Sequence, residues 1–186
     1  MVRNYRADPV PAEVLDRILQ QAQRAPSAGF SQGQSFVVVT DQELRTQIAQ
    51  LAHEERYVEA GFDPWLSKAP VHIVLCTSET VYRDRYDEPD KASAGDAQDW
   101  PVPYWYVDAG ASLMLLLLAA VDEGLAAGFA GSHNLEGIKE LLAIPPNVQP
   151  VGLVTLGFPD SDRKSGSLAR GWKQIDEVVH RQRWGG

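Results

Sequence analysis

One long apolar segment, residues 108–128 with the letters DAGASLMLLLLAAVDEGLAAG, constrains this chain most. It predicts the most hydrophobic helix of the chain over residues 108–124, followed by a glycine-containing turn. Residues 113–120 are apolar on every side of such a helix, which therefore lies in a core or at a large interface. We expect the segment to be too short, and too closely flanked by acidic residues, to span a bilayer. Because a helix of this kind needs a partner surface, we predict a homodimer.

The length, the net charge and the single cysteine limit the class of protein. A chain of 186 residues without a repeat or a linker predicts one domain over residues 1–186, with a sizeable core. The net charge of −8, without a cluster of Lys and Arg, argues against a nucleic-acid partner. Cys76 excludes an intramolecular disulfide and is predicted to be a buried structural thiol. With no apolar signal at the N-terminus, we expect a soluble cytoplasmic protein without a membrane partner.

The remaining pattern alternates helices and strands. Asp41 and Asn134 are each suited to cap the helix that follows them. Residues 79–105 are polar and punctuated by proline, and predict a long loop with mixed charges and a solvated surface. The predicted order is a helix in 12–25, a strand at 36–39, a helix in 42–53, a strand in 69–78, the loop, the apolar helix, a turn, a helix in 135–143, a strand in 151–160 and a basic tail.

The segment RAPSAGFSQGQSFVVVTD, residues 24–41, joins a loop rich in glycine, serine and glutamine to a strand. Pro26, Gly29 and Gly33 prevent a helix in the loop. The β-branched run at 36–39 predicts a buried strand. Such a loop is either an ordinary connector or the edge of a ligand site, and the residues alone favour the connector.

Side-chain chemistry gives no catalytic motif. The sequence has no G-x-S-x-G elbow, no phosphate-binding P-loop and no HExxH. Its four histidines are scattered without a partner at the spacing of metal ligands, so we predict no metal site. Since neither a nucleophile nor an acid–base pair is visible, we assign no catalytic side chain. Any difficult chemistry would come from a cofactor.

Several segments in order resemble the nitroreductase family of FMN-dependent oxidoreductases. They are RNYRADPVPAEVLDRILQQAQRAPSAG at the start, DAGASLMLLLLAAVDEGLAAGF in the centre, VGLVTLGFPD and IDEVVH. The resemblance covers nearly the whole chain. It implies an α+β nitroreductase-like fold, in which helices flank a central mixed sheet. It also implies a homodimer formed over the central helix, with tails that wrap the partner and two FMN molecules at the interface.

The resemblance also implies an activity and a site. A nicotinamide donor, NAD(P)H, would pass hydride to FMN, and a nitroaromatic, quinone or similar small aromatic acceptor would then take the electrons in a ping-pong reaction. Ser27 would hydrogen-bond the flavin, and the turn at 129–132 would offer backbone N–H groups near flavin N5. The implied cofactor-binding residues are Arg3, Pro26, Ser27, Ala28, Phe30, Phe129, Ala130, Gly131, Ser132, Arg170 and Lys173.

The sequence departs from the family pattern where FMN phosphate would bind. The pattern's two leading arginines would precede Met1, Trp172 stands at a basic position, and Phe30 replaces an asparagine. At about 1.5–3 kcal/mol for each hydrogen bond to a charged group, losing two ligands weakens binding about a hundredfold or more. Either the natural chain starts upstream, or the pocket has changed. A second function is therefore open, in which the protein binds or sequesters a flavin or another aromatic ligand with little turnover.

The aromatic residues of the segment 100–106 leave a further choice open. Trp100, Tyr104, Trp105 and Tyr106 either form a lid that stacks on a planar ligand or pack the dimer. The sequence does not decide between these two roles.

Overall fold

The computed structural model describes residues 2–91, 100–131 and 134–185. Two short 3₁₀ helices within them cover Ala28–Phe30 and Gly166–Arg170. The α-helices and strands are α1 (Ala12–Ala22), β1 (Gln34–Val39), α2 (Gln42–Leu51), α3 (Glu54–Glu59), α4 (Trp65–Lys68), β2 (Val71–Thr77), α5 (Glu79–Tyr86), α6 (Tyr104–Asp122), β3 (Ala126–Ala130), α7 (Leu135–Leu141), β4 (Gln149–Gly157) and α8 (Ile175–Val178).

The strands form one sheet in the order β1-β2-β4-β3, and each neighbouring pair is antiparallel. The architecture is α+β, as predicted, but the expectation of a mixed sheet is wrong for the strands that the structure describes. β3 was predicted as a turn. Its letters AAGFA hold no β-branched residue, so the local pattern carried no strand signal. Pairing with β4 along five positions makes it a strand nonetheless.

β1 differs from its prediction in burial. It is an edge strand, and of its residues only Val39 is buried, while Val38 is 36% exposed. The β-branched run predicted the strand correctly but could not indicate that one side of it lacks a neighbour in this chain. β2, by contrast, is buried along its whole length, and Cys76 within it is a free buried thiol, as predicted.

Two apolar layers cover the two faces of the sheet, because alternate residues of a strand point to opposite faces. On one face, Val74 and Leu153 pack with residues of α2, α4 and α7. On the other face, Ile73 and Leu156 pack with residues of α1 and α6. The caps predicted for α2 and α7 are present: the side chain of Asp41 accepts from Leu44 N, and that of Asn134 accepts from Gly137 N.

The long apolar helix α6 begins four residues earlier than predicted and packs against α1 and the sheet. Its 19 residues are long and apolar enough to cross a membrane by length and composition alone, so the expectation that the segment is too short is wrong. Only 28% of the apolar stretch is buried within the chain. The exposed large residues of the helix include Val107, Met114, Leu118 and Val121.

Part of the predicted loop at 79–105 is helical. Glu79–Tyr86 forms α5, in which Arg83 pairs with Glu79 one turn before it and Tyr82 is buried. The prediction failed because the segment is strongly polar, with Tyr82 as its single buried contact. Residues 92–99 of the same segment lie outside the described residues.

Candidate functional site

The loop before β1, which spans residues 24–33 and is called the first loop below, has an unusual backbone. Gly29, Phe30 and Gln32 all have positive φ angles, of 60°, 58° and 54°. This left-handed conformation is rare for a bulky residue such as Phe30, whose side chain is 73% exposed. Backbone strain of this kind concentrates at ligand sites. This conformation lies partly within the predicted residues 26–30 and extends to Gln32.

Ser27 is held in place but keeps its proton available. Its hydroxyl oxygen accepts a hydrogen bond from Gln32 N at 3.0 Å, and Ser31 Oγ donates to Ala28 O at 2.6 Å. No acceptor for the Ser27 O–H group is found among the described residues. Because a hydroxyl can accept and donate at once, Ser27 can still donate to a ligand.

A carboxylate outside the loop fixes the start of its 3₁₀ turn. Asp108 Oδ2, on α6, lies 2.8 Å from Ala28 N and 2.8 Å from the hydroxyl oxygen of Tyr82, and both groups donate to it. Burial, followed by this hydrogen bond, raises the pKa of Tyr82 well above its usual value. Neither residue was predicted to have a role, although an acidic residue at the start of an apolar helix is a visible signal in the sequence.

Helix α5 supports the other side of the loop. Arg85 Nε donates to Gly29 O at 2.9 Å, and its terminal nitrogens pair with Glu88 and Asp90. A methyl group on Gly29 would lie 2.6 Å from the Tyr86 ring. The glycine is thus needed both for its φ angle and for close contact with α5.

The second predicted loop follows β3. Phe129 is half-buried and Ala130 is buried, whereas Gly131 is exposed and a methyl group added to it would meet nothing within 4 Å. The backbone at Gly131 is therefore open to a ligand. Ser132, which was also predicted to contribute, lies outside the described residues.

The sheet order relates the two loops. In the antiparallel order β1-β2-β4-β3, the start of β1 and the end of β3 lie at the same end of the sheet. The two strands are the two edges, three strand spacings or about 14 Å apart. Both predicted backbone segments thus emerge at one end of the sheet, at opposite edges.

Arg3 lies beside β3, near the rings of Phe62 and Trp65. Val2 N donates to Ala127 O, and Arg3 N donates to Asp162 Oδ2 at 3.0 Å. The guanidinium carbon of Arg3 is 5.2 Å from the centre of the Phe62 ring, and its Nε is buried without a hydrogen bond in the described chain. A buried guanidinium nitrogen without a partner is suited to an anionic ligand.

The tail does not bring its predicted cations to Arg3 within one chain. Arg170 and Lys173 are exposed, and no hydrogen bond or ion pair joins them to the described residues. The tail cation beside Arg3 is Arg163, whose guanidinium carbon lies 5.4 Å from the same Phe62 ring. Arg163 donates to Ala60 O and Gly61 O. Trp172, at the position where a basic residue was expected, is 91% exposed.

The aromatic residues before and within α6 pack on one another beside the first loop. The rings of Tyr86 and Trp100 meet edge to face at 4.5 Å, and those of Trp100 and Tyr104 at 5.7 Å. Through Tyr86 this cluster also contacts Gly29. The cluster therefore forms a wall next to the loop and leaves both roles predicted for it open.

In the described part of the chain, no group of three or more His, Cys, Asp or Glu side chains could hold a metal ion. His72 is buried and neutral, with its pKa lowered to about 4 by burial.

Residues 1–158 match the sequence profile described as the nitroreductase family. The chain belongs to the nitroreductase family. It is 30% identical over 170 residues to the FMN reductase [NAD(P)H] of Bacillus subtilis strain 168, across 88% of this chain and 64% of the relative. It is also 27% identical over 187 residues to a putative NADH dehydrogenase/NAD(P)H nitroreductase of Archaeoglobus fulgidus, across 98% of this chain and 92% of the relative.

A solved structure of the nitroreductase fold agrees with the architecture. NfrA2 of B. megaterium superposes with a TM-score of 0.77 at 24% identity, over 98% of this chain and 70% of that chain. The predicted family and its α+β fold are thus confirmed, and the prediction of an oxidoreductase is confirmed at the level of the family. The chain spans 64% of the length of the Bacillus subtilis enzyme.

Proposed function

We propose that this nitroreductase-family chain is an FMN-dependent oxidoreductase, which takes hydride from NAD(P)H and reduces a nitroaromatic, quinone or similar small aromatic acceptor in a ping-pong cycle. The observation that carries the proposal is that two predicted segments lie at the same end of the sheet. One is the strained loop at 26–32, and the other is the open backbone at Gly131. The printed name of the Bacillus subtilis relative, an FMN reductase, supports the same cofactor.

The residues of the site fit FMN in three ways. Ser27 has a free hydroxyl proton for a ring acceptor, and the small residues around it allow close approach of the backbone. The backbone at 129–131 would offer N–H groups to the ring, as an oxyanion site does. Arg3 would bind the phosphate with charge-assisted hydrogen bonds, because its Nε is buried without a hydrogen-bond partner among the described residues. FMN itself would supply reversible acceptance of a hydride, and the protein would bind and orient it.

The placement of these residues favours a site shared between two copies of the chain. Arg3 and Gly131 lie next to β3, whereas Ser27 lies in the loop that leads into β1, and these two strands are the opposite edges of the sheet. A single chain also leaves an apolar stripe of α6 exposed, including Met114 and Leu118. We therefore propose a homodimer over α6, in which one ligand contacts the β3 edge of one copy and the first loop of the other.

The tail fits the same dimer. Its large apolar residues are exposed in a single chain, and they are Leu168, Trp172, Ile175, Val178, Val179 and Trp184. Such a row is typical of a segment that packs on another subunit. In the dimer, Arg170 and Lys173 would then approach the phosphate site of the partner copy. A cytoplasmic location belongs to the same proposal.

The second candidate is a binding protein of the same fold, with little turnover. The exposed Trp172 at an expected basic position favours it. Both candidate functions require a bound aromatic ligand, and only the oxidoreductase requires turnover.

A visible spectrum of the purified protein, followed by FMN titration monitored by flavin fluorescence, tests the proposal. We expect saturable binding that weakens at least tenfold in Arg3→Gln. Arg6→Gln is the matched control, because Arg6 is exposed and paired with Asp8. NAD(P)H oxidation with a quinone or a nitroaromatic then separates the candidates: turnover supports the enzyme, and binding without turnover supports the binding protein. Absence of both FMN binding and turnover overturns the proposal.

Light scattering tests the dimer. We expect a dimer for the wild-type chain and a monomer for Leu118→Glu, since a charge in the apolar stripe opposes its burial. Val58→Glu is the control, because Val58 is an exposed apolar residue on α3, away from α6. A wild-type monomer that still binds FMN would contradict the shared site.

A further inference from the structure

We propose that Asp108 is a positioning residue of the flavin site, which holds the loop at 27–33 in its binding conformation through Ala28 and Tyr82. The inference rests on the proposed function for the identity of the ligand. The positioning itself follows from contacts within the described chain.

Two donors from different elements converge on one atom. Ala28 N and the hydroxyl of Tyr82 both donate to Asp108 Oδ2, each at 2.8 Å. Asp108 is only 8% exposed, and no cation forms an ion pair with it among the residues that the structure describes. Burying a carboxylate without a salt bridge costs free energy of desolvation, so we infer that the hydrogen bonds of Asp108 have a structural role that offsets this cost.

Through these two bonds Asp108 controls both halves of the loop. Ala28 begins the 3₁₀ turn, so the bond to its N–H sets the direction of Ser27 and Gly29. Tyr82 packs its ring against Gly33, where a methyl group would collide with the ring. Ser78 N also donates to Gly33 O at 3.0 Å. The carboxylate on α6 therefore joins α5 to the start and to the end of the loop.

The backbone of the loop explains why such an anchor is needed. Phe30 and Gln32 adopt left-handed φ angles, which side chains of this size seldom do without external constraint. The bonds within the loop, from Ser31 Oγ to Ala28 O and from Gln32 N to Ser27 Oγ, link loop residues only to one another. Among the described residues, Asp108 and Arg85 are the groups outside the loop that hydrogen-bond the 28–29 backbone.

A set of variants separates positioning from general stability. Asp108→Asn keeps an oxygen acceptor where Oδ2 lies and removes the charge, while Asp108→Leu removes the acceptor at similar size. Ala28→Pro deletes the donor from the loop side, and the extended backbone of Ser27, with ψ of 144°, accepts a proline after it. Ser112→Ala is the control: Ser112 is buried one turn further along α6, and its hydroxyl has no hydrogen-bond partner in the described chain.

The first readout needs no flavin. Hydrogen exchange is measured on peptides of residues 24–35 and, for comparison, on peptides of α6 and β2. In Asp108→Leu and Ala28→Pro we expect exchange at residues 27–33 to be at least tenfold faster, with β2 unchanged. Asp108→Asn should stay within threefold of wild type and Ser112→Ala within twofold. If Asp108→Leu does not fold, Ala28→Pro and Asp108→Asn still give the comparison.

The second readout is the dissociation constant of FMN, which we expect to rise at least tenfold in Asp108→Leu and Ala28→Pro and less than threefold in Asp108→Asn. The positioning role is overturned by unchanged loop exchange in Asp108→Leu and Ala28→Pro, by equal loosening of β2, or by Asp108→Asn behaving like Asp108→Leu. If wild type fails to bind FMN while the exchange pattern holds, the proposed function fails and the positioning role stands. If wild type binds FMN and the loop variants bind it equally well, the positioning role fails and the proposed function stands.

Discussion

The hydroxyl oxygen of Tyr5 lies 2.7 Å from Oγ1 of Thr155, near the C-terminal end of β4. The same hydroxyl is 3.1 Å from Val2 O, and Tyr5 is buried, which raises the pKa of its phenol well above the usual value. The contact fixes the N-terminal segment on β4, next to Arg3. Tyr5 thus helps to hold the N-terminal segment, and Arg3 within it, against the sheet.

We predict that Tyr5→Phe lowers the free energy of unfolding by about 1–2 kcal/mol, because a buried hydrogen bond is lost and Thr155 keeps a less favourable partner. Since the N-terminal segment is then held less firmly, FMN affinity should fall as well. Urea unfolding and FMN titration measure the two effects. Tyr57→Phe is the control, since the hydroxyl of Tyr57 makes no hydrogen bond to a described residue, and equal losses in both variants would contradict the prediction.

Gly33 supports a second prediction, on the packing of the first loop against α5. A methyl group at this position would collide with the ring of buried Tyr82, which is also held by Asp108. We expect Gly33→Ala to cost about 1–3 kcal/mol, because neither the ring nor the backbone has room to move. Gly166→Ala, where a methyl group would meet nothing within 4 Å, should be neutral. Thermal unfolding of the two variants decides, and a neutral Gly33→Ala would refute the packing argument.

The local sequence pattern was enough to predict the helices and strands whose hydrophobic residues recur with a clear period. The amphipathic spacing of α1, the cap at Asp41 and the buried run of β2 were all predicted within a few residues. The pattern failed for β3 and α5. β3 is a strand because β4 pairs with it, and α5 is ordered by its contact with the first loop, so neither is determined by its own letters.

For the candidate site, too, some residues could be predicted from the sequence, whereas others depend on tertiary contacts. Residues 26–30 and 129–131 were predicted as site residues only from their resemblance to a family, since small residues and glycines alone describe any turn. Asp108 and Tyr82 escaped detection because their roles depend on three segments that meet only in the fold. Arg163 was seen only as one basic residue of the tail, because its place beside Arg3 and Phe62 is a tertiary contact.

Cys76 leads to a third prediction. It is fully buried in β2, and burial raises the pKa of its thiol to about 11. Because the thiolate is the reactive form, we expect no reaction with a thiol reagent at pH 7.5 in the folded protein, and one equivalent after unfolding in urea. Reagent absorbance measures this directly. Rapid labelling of the native protein would contradict the buried structural role.

His72 gives the last prediction, on the pH dependence of stability. Burial, with a contribution from Arg45, lowers the pKa of His72 from 6.5 to about 4, while its Nε2 lies 2.7 Å from Leu66 O. Between pH 6.5 and pH 4 the unfolded chain therefore binds a proton that the folded chain does not, so stability falls as the pH falls through this range. From pH 7 to pH 5 this one group should cost about 2 kcal/mol.

The comparison that isolates His72 is His72→Gln, which keeps a nitrogen donor within reach of Leu66 O and does not titrate in this range. Carboxylates contribute to acid sensitivity in both proteins, so only the difference between them belongs to His72. We expect urea unfolding to show that wild type loses about 2 kcal/mol more than the variant between pH 7 and pH 5. Equal losses would mean that His72 takes up its proton over the same pH range in the folded and the unfolded chain, so that its burial does not lower its pKa.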